Sequence, residues 1–340
     1  MYTEHFQLND YPFRITPDTD YLYLSNVHAR AKAYMEYAVF NREGFVVITG
    51  EIGSGKTTLI KKLMSEIDDD NIVVAEIFQT QLDEVELLQA ILVEFGLNPF
   101  GAKKVELLGM ANQFLVDSYL EGKHVLLIVD DAQNLSKRAL DELTMLSAVE
   151  TQKEKILHVI LVGQPELNQK IEAPDMEQLL QRVSLRYHVR SLNEKETKEY
   201  INHRLKIAGA KKVLFNDKLV PQIFEYTGGV PRLINTFCDT VLTCSFADNN
   251  KVVKAVDVKN AIAELQWKKH DEVHKSKLEF NSFFEGDSLL AKNNDNNGMG
   301  NDELNQFSPS MFGSISSRSL VEIYKQLKRI ADALEQKNNN

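Results

Sequence analysis

Gly50-Glu51-Ile52-Gly53-Ser54-Gly55-Lys56-Thr57-Thr58 is the stretch on which the reading of this chain turns. Before it runs Gly44-Phe45-Val46-Val47-Ile48-Thr49, an apolar segment with the length and β-branched content of a buried strand. After it, Leu59-Ile60-Lys61-Lys62-Leu63-Met64 repeats its apolar residues at helical spacing. Strand, glycine loop and helix, in that order, make a phosphate cradle. Glycines let the backbone turn tightly, so that N–H groups and the helix N-terminus point at the β- and γ-phosphates. Lys56 would then neutralise phosphate charge, and the Thr57 hydroxyl would ligate Mg²⁺. The expected ligands are therefore ATP and Mg²⁺.

A second acidic motif belongs to the same chemistry. Val125-Leu126-Leu127-Ile128-Val129 is a continuous apolar run, as expected of a central parallel strand covered on both faces, and it ends in Asp130-Asp131-Ala132-Gln133. Carboxylates at the C-terminal end of such a strand face the crevice that holds the phosphates. Asp130 is expected to hold Mg²⁺, directly or through water, and Asp131 to orient and help deprotonate the attacking water. A further strand, Ile156 to Gln164, sets Gln164 at its tip, where it either contacts the γ-phosphate or water or caps the loop. Arg182 and Arg186 lie beside a last short strand, Leu185 to Val189. Either is a candidate to reach the γ-phosphate of a neighbouring subunit, which implies an oligomer.

From Asn193 the pattern is purely helical: Glu194 to Ile207, Asp217 to Thr227, Pro231 to Ala247 and Val256 to Trp267. Pro231 at a helix start with Arg232 in the first turn places a guanidinium where it can swing onto the nucleotide. Residues 1–43 are rich in aromatics, and Phe6 to Phe13 read as an extended arm packed on the core, with Thr16-Pro17-Asp18 a turn. A helix is expected from Asn26 to Phe40. Part of this arm is a candidate wall for the adenine, because a phosphate loop supplies no base pocket.

Composition excludes several other classes. The 340 residues carry a formal charge of -10, against the cationic surface that a general nucleic-acid binder needs. Nucleic acid is accordingly not an expected partner. Cys238 and Cys244 share one predicted helix at a spacing that aims them at different faces, so they read as packed thiols of a reducing compartment. The N-terminal residues lack the basic and apolar regions of a signal peptide, and no apolar run nears the ~18 residues of a membrane span. A cytoplasmic location follows as the expectation, peripheral at the inner membrane if a partner holds it there. Beyond Lys268 the chain turns polar around Asn293-Asn294-Asp295-Asn296-Asn297, then recovers Leu320, Ile323, Leu327, Ile330 and Leu334 at heptad spacing, a docking helix for a partner or for other copies.

Taken together, the phosphate loop, Val129-Asp130-Asp131-Ala132-Gln133-Asn134-Leu135, Gly163-Gln164-Pro165-Glu166, Met176-Glu177-Gln178-Leu179, Arg186-Tyr187-His188 and Gly228-Gly229-Val230-Pro231-Arg232-Leu233-Ile234-Asn235 resemble the AAA+ ATPases of the general secretion pathway protein A type. Within these, they are most similar to the secretion ATPases that accompany exosortase/PEP-CTERM and exopolysaccharide systems. The resemblance covers roughly residues 1–267. It implies an α/β P-loop NTPase (AAA+) parallel-sheet domain at 44–191, preceded by an arm and helix at 1–43 and followed by an α-helical lid at 192–268; beyond the resemblance, composition and heptad spacing give a polar linker at 269–313 and an amphipathic helix at 314–337. A homo-oligomeric ring acting on an envelope secretion or polysaccharide export component is the implied assembly. By matched position, Lys56 and Thr57 are the P-loop residues, Asp130 the metal carboxylate, Arg182 and Arg186 the arginine-finger candidates and Arg232 the lid arginine; the residues' own reading adds Gly50 to Thr58 for the nucleotide, Thr57 for the metal and Lys56, Asp131 and Gln164 for the reaction. One departure stands out: Asp131 occupies a place that is usually glutamate, and an aspartate one methylene shorter sits further from the attacking water. Two other readings therefore stay open, a nucleotide-dependent scaffold with little hydrolysis and a DNA-transposition-type ATPase.

Overall fold

The computed structural model describes residues 2–40, 44–67, 71–149 and 155–273. Residues up to Trp267 form one compact unit and a second begins at Lys268. The polar linker and the helix expected at 314–337 lie outside the described residues, apart from the linker's first few positions.

A five-stranded parallel sheet organises the first unit. Its strands are β1 (Phe45–Gly50), β2 (Ile72–Ile77), β3 (His124–Val129), β4 (Leu157–Gly163) and β5 (Val183–Val189). They lie in the order β2-β3-β4-β1-β5, every neighbouring pair being parallel. Parallel strands need covered crossovers, and the helices supply them on both faces. The period-two alternation of a strand separates the two cores. Phe45 and Val47 of β1 join Leu127 and Val129 of β3 on one face, under α4 (Glu84–Glu94), α5 (Lys104–Leu120), α6 (Lys137–Leu146), α7 (Glu166–Ile171) and α8 (Glu177–Arg182). Val46, Ile48, Leu126 and Ile128 pack on the other face against α2 (Asn26–Phe40) and α3 (Lys56–Glu66). The expected cap at Ser136 is in place, its hydroxyl accepting from the Ala139 N–H at 3.1 Å.

Among the described residues, four α-helices follow the sheet in the first unit: α9 (Glu194–Ile207), α10 (Val220–Thr227), α11 (Pro231–Ala247) and α12 (Ala255–Leu265). They enclose a third apolar cluster built on Ile223, Phe237, Val241 and Val258. Both cysteines lie on α11, free and buried, as expected.

A short helix α1 (Tyr2–Phe6) opens the N-terminal arm, and the stretch from Phe6 to Phe13, expected as an extended arm packed on the core, packs on the core of the C-terminal helices. The reason is local and then tertiary: Tyr2 and Phe6 share one helical face, and Phe13, 1% exposed, meets Phe215 edge-on with ring centres 6.1 Å apart. The Tyr2 hydroxyl donates to Asp239 Oδ1 at 2.5 Å, while the Arg204 side chain donates to the Pro12 and Arg14 carbonyls at 2.5 and 3.3 Å. Further along, Tyr21 and Tyr23 stay against the C-terminal helices, while Leu22 packs on the sheet-side cluster.

Candidate nucleotide site

β4 lies between β1 and β3, so three polar strand ends meet in one crevice: the glycine loop after β1, Asp130 and Asp131 after β3, and Gln164 after β4. A cleft of about 550 Å³ opens over them. Lys56, Thr57 and Thr58 line its floor, with Arg14, Tyr21 and Tyr23 of the arm and Arg232 of α11 on its walls.

The loop has the conformation that its glycines permit. Gly53 and Gly55 take φ of 79° and 97°, in the left-handed region that side chains disfavour. Gly53 also lies under α11: a Cβ there would come within 2.4 Å of the Arg232 Cβ, and the Arg232 N–H donates to the Gly53 carbonyl at 3.1 Å. Gly55 caps α3 without a side-chain bond, leaving the first-turn N–H groups turned to the cleft. Glu51 and Ile52 are exposed at the tip of the loop.

The side chains fit a nucleotide and its metal. Lys56 is buried, and its Nζ donates to the carbonyls of Gly50 and Glu51 at 2.7 and 2.9 Å. Burial lowers its pKa, against the opposing pull of Asp130 and Asp131. Ser54 Oγ is buried beneath the loop with no hydrogen-bond partner. Thr57 Oγ1 donates to Asp130 Oδ2 at 2.6 Å. Asp130 is 4% exposed, and burial raises its pKa while the Thr57 and Asp131 hydrogen bonds lower it. A hydroxyl and a buried carboxylate, side by side at the N-terminal end of α3, are hard oxygen donors of the kind Mg²⁺ takes alongside phosphates. Thr57 and Asp130 would hold the ion.

Asp131, by contrast, is exposed and adopts φ 52°. Its Oδ1 accepts from Gln133 Nε2 at 3.1 Å, and its N–H donates to Asp130 Oδ1 at 2.9 Å. Gln164 is half-buried and reaches the cleft.

Arg182 and Arg186 are not in this cleft. Arg182 Nη1 donates to Ser147 Oγ at 3.1 Å, and Arg186, on the edge strand β5, pairs with Glu172 at 2.7 Å. Neither serves its own chain's site from these positions.

His28 is the residue that reading the sequence missed. From α2 its Nε2 donates to the Ser54 carbonyl at 2.7 Å, while its Nδ1 meets the Ser25 hydroxyl at 2.7 Å. A carbonyl accepts only, so Nε2 carries the proton and Nδ1 is left to accept from Ser25. Burial lowers the pKa of this imidazole, against the raising effects of the Ser54 carbonyl and Glu196 and with a lowering contribution from Arg190. A lone histidine seven residues ahead of Met35 gives no spacing signal by itself; its only sequence mark is Ser25 three residues before it.

Residues 40–171 match the family described as AAA domain. General secretion pathway protein A of Aeromonas hydrophila is 36% identical over 266 residues, which cover 78% of this chain and 48% of that protein; the chain spans about half the length of the curated relative it matches. Among solved structures, Cdc6p from Pyrobaculum aerophilum superposes with TM-score 0.57 at 15% identity, covering 77% of this chain and 70% of that one. The Aeropyrum pernix ORC2 protein in its ADP form gives 0.54 at 18%, covering 77% and 72%. Drosophila ORC bound to DNA gives 0.56 at 16%, covering 75% and 62%. Identities this low speak to fold alone. The fold is that of an α/β P-loop NTPase of the AAA+ kind, and what the chain resembles is an AAA+ ATPase of the secretion-protein-A type. The expectation against nucleic acid draws no support from these neighbours, one of which was solved on DNA. Among the described residues, no helix is long and apolar enough to cross a membrane.

Proposed function

We propose that this chain is a Mg²⁺-dependent ATPase that works as an oligomer, with ATP turnover coupled to assembly or regulation of a bacterial envelope secretion system. The observation that carries the nucleotide chemistry is the convergence of Lys56, Thr57, Asp130 and Gln164 on one cleft. The metal, when bound, would neutralise charge on the β- and γ-phosphates and polarise the bond that breaks. The chain's own residues do the rest. N–H groups of the loop and the α3 N-terminus bind phosphate oxygens, and Lys56 leaves its two carbonyl partners to meet phosphate. Asp131 takes a proton from the attacking water, and Gln164 orients that water or the γ-phosphate. Arg232, on the first turn of α11 against Gly53, ties the C-terminal helices to the nucleotide and makes them a lid.

Arg182 or Arg186 would act on the site of a neighbouring copy, a reading supported by their absence from the lining of their own cleft and by the edge position of β5. The secretion process rests on the 36% identity to a secretion protein A. The narrower attribution, to export of polysaccharide or sorted surface proteins, rests on motif spelling. Peripheral association with the inner membrane through a partner belongs to the same proposal. Steady-state hydrolysis by the purified chain, wild type beside Lys56→Ala, tests the enzymology: ordinary turnover in the variant would overturn it. Salt-sensitive stimulation of that turnover by duplex DNA would move the process away from secretion.

A further inference from the structure

Gln133 has no part in the chemistry above, yet it joins two residues that do. Its Nε2 donates to Asp131 Oδ1 at 3.1 Å, and its Oε1 accepts from the Gln164 N–H at 2.9 Å. The two partners demand one amide orientation. A carboxylate accepts and a backbone N–H donates, so a flipped amide would set oxygen against oxygen on one side and N–H against N–H on the other.

Its surroundings hold it there. Lys170 Nζ donates to the carbonyls of Gln133 and Leu135 at 2.6 and 2.7 Å, clamping the turn after β3. Gly163, the last residue of β4, leaves the space: a Cβ at 163 would stand 2.8 Å from Gln133 Oε1 and 3.3 Å from its backbone nitrogen. Asp131 is exposed, and the Gln133 amide donates to its carboxylate.

We infer that Gln133 is a positioning residue which fixes the Asp131 carboxylate to the tip of β4, so that Asp131 and Gln164 move as one unit over the reacting phosphate. The inference rests on the ATPase reading. Such a tether matters because misplacement of a catalytic group by about 1 Å can cost ~10²-fold.

Single-turnover ATP hydrolysis by the full chain, with ATP affinity measured alongside, tests it. Gln133→Leu removes both bonds at similar size. Gln133→Glu keeps the acceptor for Gln164 and loses the donor to Asp131. Both are expected to lower the hydrolysis rate at least roughly tenfold while the ATP Kd stays within about twofold, a split that loosened packing alone would not give. In an Asp131→Asn background, Gln133→Leu is expected to change the rate by less than about twofold, because the pair acts as one unit. An unchanged rate in both single variants, or an equal loss with and without Asp131, overturns the inference. Absent hydrolysis in the wild type overturns the ATPase reading instead, and is seen before any variant is made.

Discussion

Thr57 Oγ1 lies 2.6 Å from Asp130 Oδ2 and donates to it, across 73 positions of sequence. The contact joins the first turn of α3 to the end of β3, with the whole of β2, α4 and α5 intervening in the chain. The two oxygens proposed as ligands for one cation are thus already neighbours. Thr57→Ala and Asp130→Asn are each expected to raise the Mg²⁺ concentration for half-maximal turnover at least roughly tenfold, read by titrating Mg²⁺ at fixed ATP. Unchanged Mg²⁺ dependence in both would remove them as ligands.

Arg182 and Arg186 give a prediction about assembly. If one of them completes a neighbour's site, its alanine variant loses turnover by roughly 10³ while still binding ATP. Mixing that variant with Lys56→Ala restores part of the activity, since one copy contributes the arginine and the other an intact phosphate loop. Mixtures no more active than either variant alone would place the arginine's effect within its own chain.

His28 sets a pH dependence. Burial holds its pKa below the ordinary 6.5, so the folded chain keeps the ring neutral where the unfolded chain has begun to bind a proton. Stability from this group is therefore fully present above about 6.5 and falls as pH drops through that value towards the folded pKa. Glu196, on α9, raises the pKa of the ring and Arg190, just ahead of α9, lowers it. His28→Gln retains a donor for the Ser54 carbonyl without titrating, and its melting temperature is expected to fall less than that of the wild type between pH 7 and 5. Parallel pH profiles would contradict this.

The arm is expected to be structural as well as a wall of the cleft. Phe13→Ala leaves a cavity among Phe215 and its neighbours and should destabilise the fold by about 3 kcal/mol, measured by denaturant unfolding. A loss below about 1 kcal/mol would mean that the arm is dispensable.

How much of this could be read from the sequence depended on how local the signal was. The glycine loop, Asp130, the apolar strands, α2, α9 and the Pro231 start of α11 are written in contiguous residues, and the structure has them at or within a few residues of the expected bounds. The arm was legible as packed, but its partners were not, because they are remote: Arg204 bonds the Pro12 carbonyl across 192 positions, and no local period encodes that. Strand order was equally silent, so Gln164 could be placed at a strand tip but not between Lys56 and Asp130. His28 and Gln133 escaped for a related reason. Each is a single polar residue whose role comes only from the carbonyl, carboxylate or N–H it meets. Asp131, by contrast, was legible as a departure, and its exposure with φ 52° now gives that departure a geometry.

The most direct test is steady-state ATP hydrolysis by the purified full chain as a function of protein concentration, with and without Mg²⁺, beside Lys56→Ala. The account predicts Mg²⁺-dependent turnover per subunit that rises with concentration as copies assemble, and none above background in the variant. ATP bound tightly but not hydrolysed at any concentration, or turnover indifferent to Mg²⁺ and to Lys56, would contradict it.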